Sequence, residues 1–400
     1  MSEVVDTFLN AGFSKDEASK VIDFWMKAKI NPFSKTEISK KIDDLFLFFD
    51  EFSVSKNVAK KAIVKEPRLL LTTSLPMLRK NLLQNAKLLK IEPEKLVSIL
   101  VKQPGLLTRK PEGLFSNLIK NAKTVGVESV VFLEKSLKHP TLLAFSSEYV
   151  MKNVTLLKKG LNLDEVGFSK LFKDFPNILT RSPETVLNLI QKISEEFDVP
   201  KDEVQKSFLK APSLLSYSDQ NLIEKINVGM QYFGLPKEDI CKMYLFAPAL
   251  LQVSPDRIHS NVSKVADIFS TDSKTIITSF LKMPALFLCA PNSIKEKYDF
   301  YKQMYLDDAF CLGNEIKKDL NLLKNHILKN AKEMLVPSMQ SLEVRRAYGL
   351  WIKENQGTSS KAPIWKRPSK IMDDLKNVPD DFWKKNTALF QAYLKNQKGK

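Results

Sequence analysis

The 400-residue sequence is poor in glycine, cysteine and histidine, with 12, three and three residues respectively. So little glycine disfavours turn-rich β proteins and nucleotide enzymes built on glycine loops, and it favours helices. The cysteines, Cys241, Cys289 and Cys311, are too few and too far apart for a disulfide framework, which indicates packing residues in a reducing compartment. No histidine pair or cysteine pair stands at metal-ligand spacing. The sequence therefore predicts no metal site and no cofactor.

Long hydrophobic runs and an import signal are missing as well. The richest run, LFLFF at 45–49, is far shorter than the roughly 18 apolar residues that a membrane-spanning helix requires. Residues 1–30 contain five acids and no arginine, whereas mitochondrial presequences are rich in arginine and poor in acids. We therefore expect no membrane partner, and the N-terminus gives no sign of an organelle address.

A short phrase of proline, one variable residue and two large apolar residues recurs along the chain at a fixed interval. The prolines are Pro67, Pro104, Pro140, Pro176, Pro212, Pro248 and Pro284. The first interval is 37 residues and the other five are 36, and a degenerate copy begins at Pro32. A period this regular predicts a stack of identical supersecondary units.

Each unit reads as two helices followed by a tight turn. A serine six residues after the proline, as at Ser146 and Ser218, predicts the N-cap of the first helix. A turn with glycine, proline or acids then precedes a shorter second helix. The next proline ends that helix or starts a tight third turn, because it lacks an N–H and disfavours helical geometry in the residue before it. The two apolar residues after it fill the groove between units, at roughly 3–6 kcal/mol per pair before entropy is subtracted.

The helical faces predicted to point inward keep the same register in successive units. In the first helices they are Val186, Ile190 and Phe197, then Leu222, Ile226 and Phe233, then Ile258, Val262 and Phe269. In the second helices they are the pairs Val204 and Phe208, Ile240 and Tyr244, and Ile276 and Phe280. Their spacing places each set on one side of a helix. The sequence therefore predicts an all-α solenoid of about seven to eight 36-residue repeats.

Units of this length, with two helices and a short third one opening on Pro-x-Leu-Leu or Pro-x-Ile-Leu, resemble the mitochondrial transcription termination factor (mTERF) family. The resemblance covers about residues 30–301 and is strongest over 104–290. It implies a left-handed α-superhelix curved like a half-ring, with a short 3-10 helix as the third element of each repeat. It also implies a monomer whose basic groove binds double-stranded DNA, or structured RNA in some members, and regulates transcription or its termination in a small genome. The sequence has eight arginines against 54 lysines, whereas contacts to phosphates and base edges favour arginine. In this respect it departs from what the resemblance implies.

The net charge of +16 is concentrated in two regions of the chain. Residues 67–176 carry 18 basic and nine acidic side chains, and residues 302–400 carry 19 and 11. Residues 1–66 are neutral, and residues 177–301 have a net charge of −1. This uneven distribution favours a binding footprint for a polyanion over a diffuse solubilising coat.

Cations at equivalent positions of stacked repeats form a stripe that can follow a phosphate backbone. The nucleic-acid-binding residues predicted in the repeats are Arg79, Lys80, Arg109, Lys110, Lys120, Lys123, Lys152 and Arg181. Those predicted in the C-terminal region are Arg345, Arg346, Lys366 and Arg367. For any single lysine, a solvated surface side chain is the competing interpretation.

We expect four regions along the chain. Residues 1–66 form an N-terminal helical region with a degenerate repeat, and residues 67–301 form the repeat solenoid. Residues 302–356 are interpreted as capping helices, including an amphipathic basic helix at 317–335. Residues 357–400 are interpreted as a basic linker with a terminal helix.

Three functional alternatives stay open at the level of sequence. No nucleophile elbow or phosphate loop appears, and the recurrent acids at the start of second helices complement the helix dipole, so neither an enzyme nor a small-molecule substrate is expected. A nucleic-acid-binding solenoid acting on duplex DNA competes with an RNA-binding one acting in RNA maturation. A protein-binding scaffold is the third, favoured by the near-neutral residues 177–301. The resemblance places the protein in a mitochondrion or another organelle, whereas the N-terminus fits a bacterial cytoplasm.

Overall fold

The computed structural model describes residues 2–29, 34–71, 74–306, 320–339 and 341–342. All the regular structure in these ranges is helical, and it falls into two compact units, Met1–Ile190 and Gln191–Lys400. The predicted all-α helical-repeat class is therefore confirmed.

The α-helices of the first unit are α1 Ser2–Asn10, α2 Lys15–Lys27, α3 Lys35–Glu51, α4 Lys56–Lys65, α5 Leu75–Leu89, α6 Pro93–Leu100, α7 Pro111–Val125, α8 Ser129–Lys138, α9 Thr141–Ala144, α10 Ser147–Gly160 and α11 Glu165–Asp174. Helix α12, Pro183–Phe197, runs from the first unit into the second. The second unit continues with α13 Lys201–Phe208, α14 Asp219–Phe233, α15 Lys237–Phe246, α16 Pro255–Phe269, α17 Ser273–Phe280, α18 Pro291–Leu306, α19 Leu320–Lys329 and α20 Ala331–Leu335.

The periodic prolines share one local structure. Six of them open a 3-10 helix, and Pro140 instead precedes the four-residue helix α9. The 3-10 helices are Pro67–Leu70, Pro104–Leu106, Pro176–Thr180, Pro212–Ser216, Pro248–Gln252 and Pro284–Leu288. The residue before each of the seven prolines has φ between −125° and −148° and ψ between 68° and 78°, outside the helical region. In α4, α8, α11 and α15 this residue is the C-cap, so proline ends those second helices through the conformation that it imposes on its predecessor. Helices α6, α13 and α17 end three residues before the equivalent residue.

The first helix of each repeat also ends at a fixed register. Six residues at intervals of 36 adopt left-handed backbone, with φ between 46° and 79°. They are Lys90, Gly126, Asn162, Asp198, Gly234 and Ser270. Two are glycine, the residue that adopts this region without steric cost, and Asn162 and Asp198 are of the types that tolerate it next best. Backbone strain therefore falls mainly on Lys90 and Ser270.

The residues predicted to face inward are buried in both units. Every one of the 15 first-helix and second-helix positions predicted above is at most 6 % exposed. The two apolar residues that follow each proline are at most 4 % exposed in all seven copies. Burial of these side chains provides the main favourable term that holds successive repeats together.

Serine N-caps begin most of the first helices. The hydroxyls of Ser146, Ser182 and Ser218 accept hydrogen bonds from backbone N–H groups three residues later, at 3.1–3.2 Å. Ser254 occupies the N-cap of α16 without such a bond from its side chain. The predicted starts are therefore found, and three of these four make the side-chain bond that stabilises a helix N-terminus.

Additional helices flank the repeats at both ends. In the first unit, the buried indole of Trp25 on α2 donates a hydrogen bond to the carbonyl of Pro67, at 3.4 Å. In the second unit, the Tyr301 hydroxyl on α18 donates to the carbonyl of Met334 on α20, at 3.0 Å. The helix predicted over 317–335 is, from residue 320 onward, two helices separated at Asn330, where φ is −112° and ψ is 32°. The helices predicted over 343–355 and 380–396 lie outside the described residues.

Candidate nucleic-acid interface

Lysines line an exposed face of the first helices α5, α7 and α10. We call this face the lysine stripe. It comprises positions 80, 84 and 87 of α5, 116, 120 and 123 of α7, and 152, 156 and 159 of α10, all of them exposed. Within each helix these positions are spaced by four and three residues, which places them on one side, and between helices they repeat every 36 residues. Six of the nine are lysine and none is acidic: Lys80, Lys87, Lys120, Lys123, Lys152 and Lys159.

The equivalent positions of α12, α14 and α16 have a different charge. Lys87, Lys123 and Lys159 correspond there to Glu195, Gln231 and Asp267, which are exposed as well. Of the two lysines at equivalent positions in these helices, Lys192 forms an ion pair with Asp219. The positive stripe therefore belongs to three consecutive first helices and does not continue along the next three.

The family of the chain follows from a comparison of its helical repeats with known protein families. The mTERF family model matches residues 46–307, which is more than half of the chain. The chain belongs to the mTERF family. Proteins of this family are generally nucleic-acid-binding helical-repeat proteins without enzymatic activity, and they are typically organellar. A search of curated proteins found no significant match to this chain.

Four of the predicted residues fall on the lysine stripe of this mTERF protein. They are Lys80, Lys120, Lys123 and Lys152, whose side chains are exposed. Lys87 and Lys159 were missed, although each lies 36 residues from Lys123 and the register alone could have found them. The stripe therefore contains two more cations than the four predicted ones.

The stripe is partly balanced by one acid on the neighbouring first helix. Glu148, in the first turn of α10, accepts hydrogen bonds from its own backbone N–H and from the Ser146 hydroxyl, and it lies near the Lys120 ammonium. These contacts lower the pKa of Glu148, so it is ionised at neutral pH. Glu148 is thus a local anion that a bound phosphate near Lys120 would meet.

Arg79 lies beside the stripe and is paired within the protein. Its Nε donates to Oε2 of Glu51 on α3 at 3.1 Å, and its Nη2 donates to the same oxygen. This bond raises the pKa of Arg79 above its ordinary value. Because the pair is exposed to solvent, it contributes little net stability, and Glu51 competes with an external phosphate for the guanidinium.

Arg109 connects two successive repeats. Its half-buried guanidinium donates from Nη2 to the carbonyl of Ala144 at 2.6 Å, and Ala144 ends α9 of the next repeat. Guanidinium has five N–H donors, so this bond leaves donors for another partner. Arg181 holds the equivalent sequence position and is half-buried too. Arg109 therefore links its own repeat to the next one through a hydrogen bond, and its position in the sequence did not reveal this role.

Lys110 replaces a serine N-cap. It is the exposed N-cap residue of α7, and in other repeats the same register position is Ser74, Ser146, Ser182, Ser218 or Ser254. Lysine cannot accept a hydrogen bond from the first-turn N–H groups, and its charge opposes the positive end of the helix dipole. The substitution therefore loses a cap and adds a cation at a helix end that favours anions.

The four cations predicted in the C-terminal region, Arg345, Arg346, Lys366 and Arg367, lie outside the described residues.

The titratable side chains of the interior are shifted toward their neutral forms. Burial raises the pKa of the Cys241 thiol to about 11, so little thiolate forms near neutral pH. Burial also raises the pKa of Tyr244 to about 12 and lowers the pKa of His326.

Among the residues that the structure describes, no three His, Cys, Asp or Glu side chains lie together as metal ligands would. None of the helices in those ranges is long and apolar enough to cross a membrane.

Proposed function

We propose that this mTERF protein binds double-stranded DNA as a monomer, through phosphates that contact the lysine stripe, and thereby regulates transcription of a small mitochondrial genome. The observation that supports this proposal is the row of six exposed lysines without an acid at nine equivalent positions. Stacked first helices repeat the same positions, so the ammonium groups recur along the stack as phosphates recur along a strand.

The chemistry of lysine favours binding that is independent of base sequence. Lysine acts as a compact point charge, whereas the planar fork of arginine reads guanine edges and clamps phosphates in two places. Two arginines of the early repeats already have partners within the protein. Arg109 donates a hydrogen bond to the carbonyl of Ala144, and Arg79 pairs with Glu51. We therefore infer that the stripe positions the protein on a duplex and leaves base recognition to other residues.

Salt dependence tests the proposal directly. If six lysines neutralise phosphates, log affinity for a 22-base-pair duplex should fall against log salt with a slope of about −5. Replacing Lys87, Lys123 and Lys159 by glutamine should bring the slope to about −3, because each lost contact removes about 0.9. Fluorescence anisotropy between 50 and 200 mM KCl measures both.

A matched control separates local contacts from net charge. The exposed lysines Lys264, Lys274 and Lys282 of the second unit can be changed to glutamine together, which alters the total charge by the same amount. We expect this control to keep a slope near −5. Equal losses in both triple variants, or affinity indifferent to salt, would contradict the proposal.

The same titration decides between DNA and RNA. Point charges contact the phosphates of either duplex, so an RNA duplex of matched sequence is the informative competitor. Tighter binding of the DNA duplex supports regulation of transcription. Tighter binding of the RNA duplex would replace that part of the proposal with a role in RNA maturation.

A further inference from the structure

A second basic surface lies between the second helices α4 and α6, in the first unit. A cleft of about 600 Å³ opens there, and its lining includes Val54, Val58 and Val101 together with Lys61, Lys65 and Lys102. The remaining lining residues are three serines. None of these residues belongs to the lysine stripe, which is formed by first helices. The cleft is therefore a separate feature from the proposed phosphate-binding surface.

The floor of the cleft is apolar, and its exposure decreases from Val58 through half-buried Val101 to buried Val54. Val58, in the first turn of α4, is 39 % exposed. Val101 lies across from it at the end of α6, and Val54 precedes α4. Exposed apolar surface rimmed by polar groups is typical of an interaction site. The valines could accept apolar side chains of a partner without rearrangement of the core.

The rim of the cleft is positive and uncompensated. The side chains of Lys61 and Lys102 are exposed and form no hydrogen bond or ion pair with any residue that the structure describes. The Lys65 ammonium donates to the carbonyl of Lys102, which fixes it at the edge between the two helices. No carboxylate is among the nine residues that line the cleft in this part of the chain. Three cations around an apolar floor favour an occupant that is both acidic and apolar.

The corresponding cleft of the second unit shows which features are special. It lies between α15 and α17, where Lys242, Phe246 and Lys282 hold the register positions of Lys61, Lys65 and Lys102. Its volume is about 320 Å³, Asp239 is part of its lining, and Lys242 is paired with Glu238 at 2.5 Å. The cleft between α4 and α6 is thus larger, and none of its three lysines is paired with a carboxylate of the described residues.

We propose that the cleft between α4 and α6 docks an acidic amphipathic segment of a protein partner. The segment places apolar side chains against Val58 and Val101 and carboxylates beside Lys61, Lys65 and Lys102, as a helix does when its apolar face lies in a groove. A nucleic acid fits the site less well, because no aromatic side chain lines it for base stacking and phosphates gain nothing from a valine floor. The volume lies within the range of about 300–1,000 Å³ that is usual for ligand sites.

Peptide selection on the whole chain tests this inference. A random library of 16-residue peptides displayed on phage is selected against the full-length protein, and enriched peptides are then synthesised and measured by fluorescence anisotropy. We expect enriched sequences with leucine, isoleucine or phenylalanine at helical spacing and an excess of aspartate and glutamate. These peptides should bind the unmodified chain at least tenfold more tightly than either Val58→Glu or the double variant Lys61→Glu, Lys102→Glu.

Two controls keep the result independent of folding and of the proposed DNA binding. The double variant changes only exposed side chains, and peptides with glutamate replaced by lysine should regain binding to it. The variant of the stripe residues Lys87, Lys123 and Lys159 to glutamine should bind the peptides normally. Conversely, Lys61→Glu, Lys102→Glu should keep most of its affinity for the duplex, so that failure of one proposal leaves the other standing.

Several outcomes would overturn the inference. Enriched peptides that are neutral or basic, or that bind Val58→Glu equally well, would show that the cleft does not select them. Complete displacement of the peptides by the duplex, with loss of duplex binding in Lys61→Glu, Lys102→Glu, would assign the cleft to nucleic acid. A dimer in sedimentation that Val58→Glu abolishes would assign it to a second copy of the chain.

Discussion

The first helices α5, α7 and α10 and the first helices α12, α14 and α16 share one fold and differ in charge. Their inward residues, such as Leu118 in α7 and Ile226 in α14, are buried alike. Their outward residues at one register position change from Lys87, Lys123 and Lys159 to Glu195, Gln231 and Asp267. The comparison teaches that the inward positions of the repeat determine the architecture, while the outward positions are free to set what each segment binds.

The largest expected effect tests whether the inward positions are equivalent in both units. Leu142 and Leu214 follow their prolines at the same distance and are fully buried. Changing either one to alanine should lower the free energy of unfolding by about 2–5 kcal/mol, through lost burial and the cavity left behind. Chemical denaturation of each variant measures this. A loss below 1 kcal/mol at one site only would show that the repeats are not equivalent inside.

The next effect transfers the charge pattern of the later helices to the earlier ones. The variant Lys87→Glu, Lys123→Glu, Lys159→Glu should bind a 22-base-pair duplex about 100-fold more weakly at 100 mM salt, because repulsion is added to the lost contacts. The triple glutamate variant at Lys264, Lys274 and Lys282 is its control, since it carries the same total charge. Anisotropy titrations that show equal weakening of both would mean that only net charge matters.

The reverse exchange should give α12, α14 and α16 a lysine-bearing face of their own. Changing Glu195, Gln231 and Asp267 to lysine removes two acids and adds three cations at exposed positions. Affinity for a longer duplex should rise about tenfold at 100 mM salt, and the salt slope should steepen by as much as about 3. A 22-base-pair duplex and a 40-base-pair duplex are compared. An unchanged slope with the longer duplex would restrict phosphate contact to α5, α7 and α10.

The smallest expected effect concerns the N-cap of α7. Lys110→Ser restores the residue type found at this register in five other repeats. The new hydroxyl should stabilise the protein by about 0.5–1 kcal/mol, while the lost cation weakens duplex binding a few-fold. Denaturation and anisotropy measure the two changes separately. Lys110→Ala serves as control, because it removes the charge without providing a cap.

Much of the fold could be predicted because it depends on residues that act locally. Pro212 imposes its conformation on Ala211, and Ser218 caps the helix that begins beside it, so a single chain reveals both. Inward positions such as Ile226 follow from helical periodicity. The 36-residue period then extends these local rules to every copy.

The candidate site was less predictable because its details depend on contacts between distant residues. The bond from Arg109 to Ala144 spans 35 residues, and the pair of Arg79 with Glu51 spans 28. No sequence pattern shows that these cations already have partners. The cleft beside Val58 likewise depends on how α4 packs against α6, whereas Lys87 and Lys159 were accessible from the register.

The left-handed residue that follows each of the first helices α5, α7, α10, α12, α14 and α16 has a practical consequence for protein engineering. From Lys90 to Ser270 it marks six boundaries at the same position of the repeat, each in the turn between a first helix and the following second helix. Cutting and rejoining the gene at these codons would exchange whole modules as cassettes while leaving every helix intact. If the lysine stripe binds phosphates as proposed, the length of nucleic acid protected by the protein should grow by one increment for each lysine-bearing repeat added, in a series with two, three or four of them.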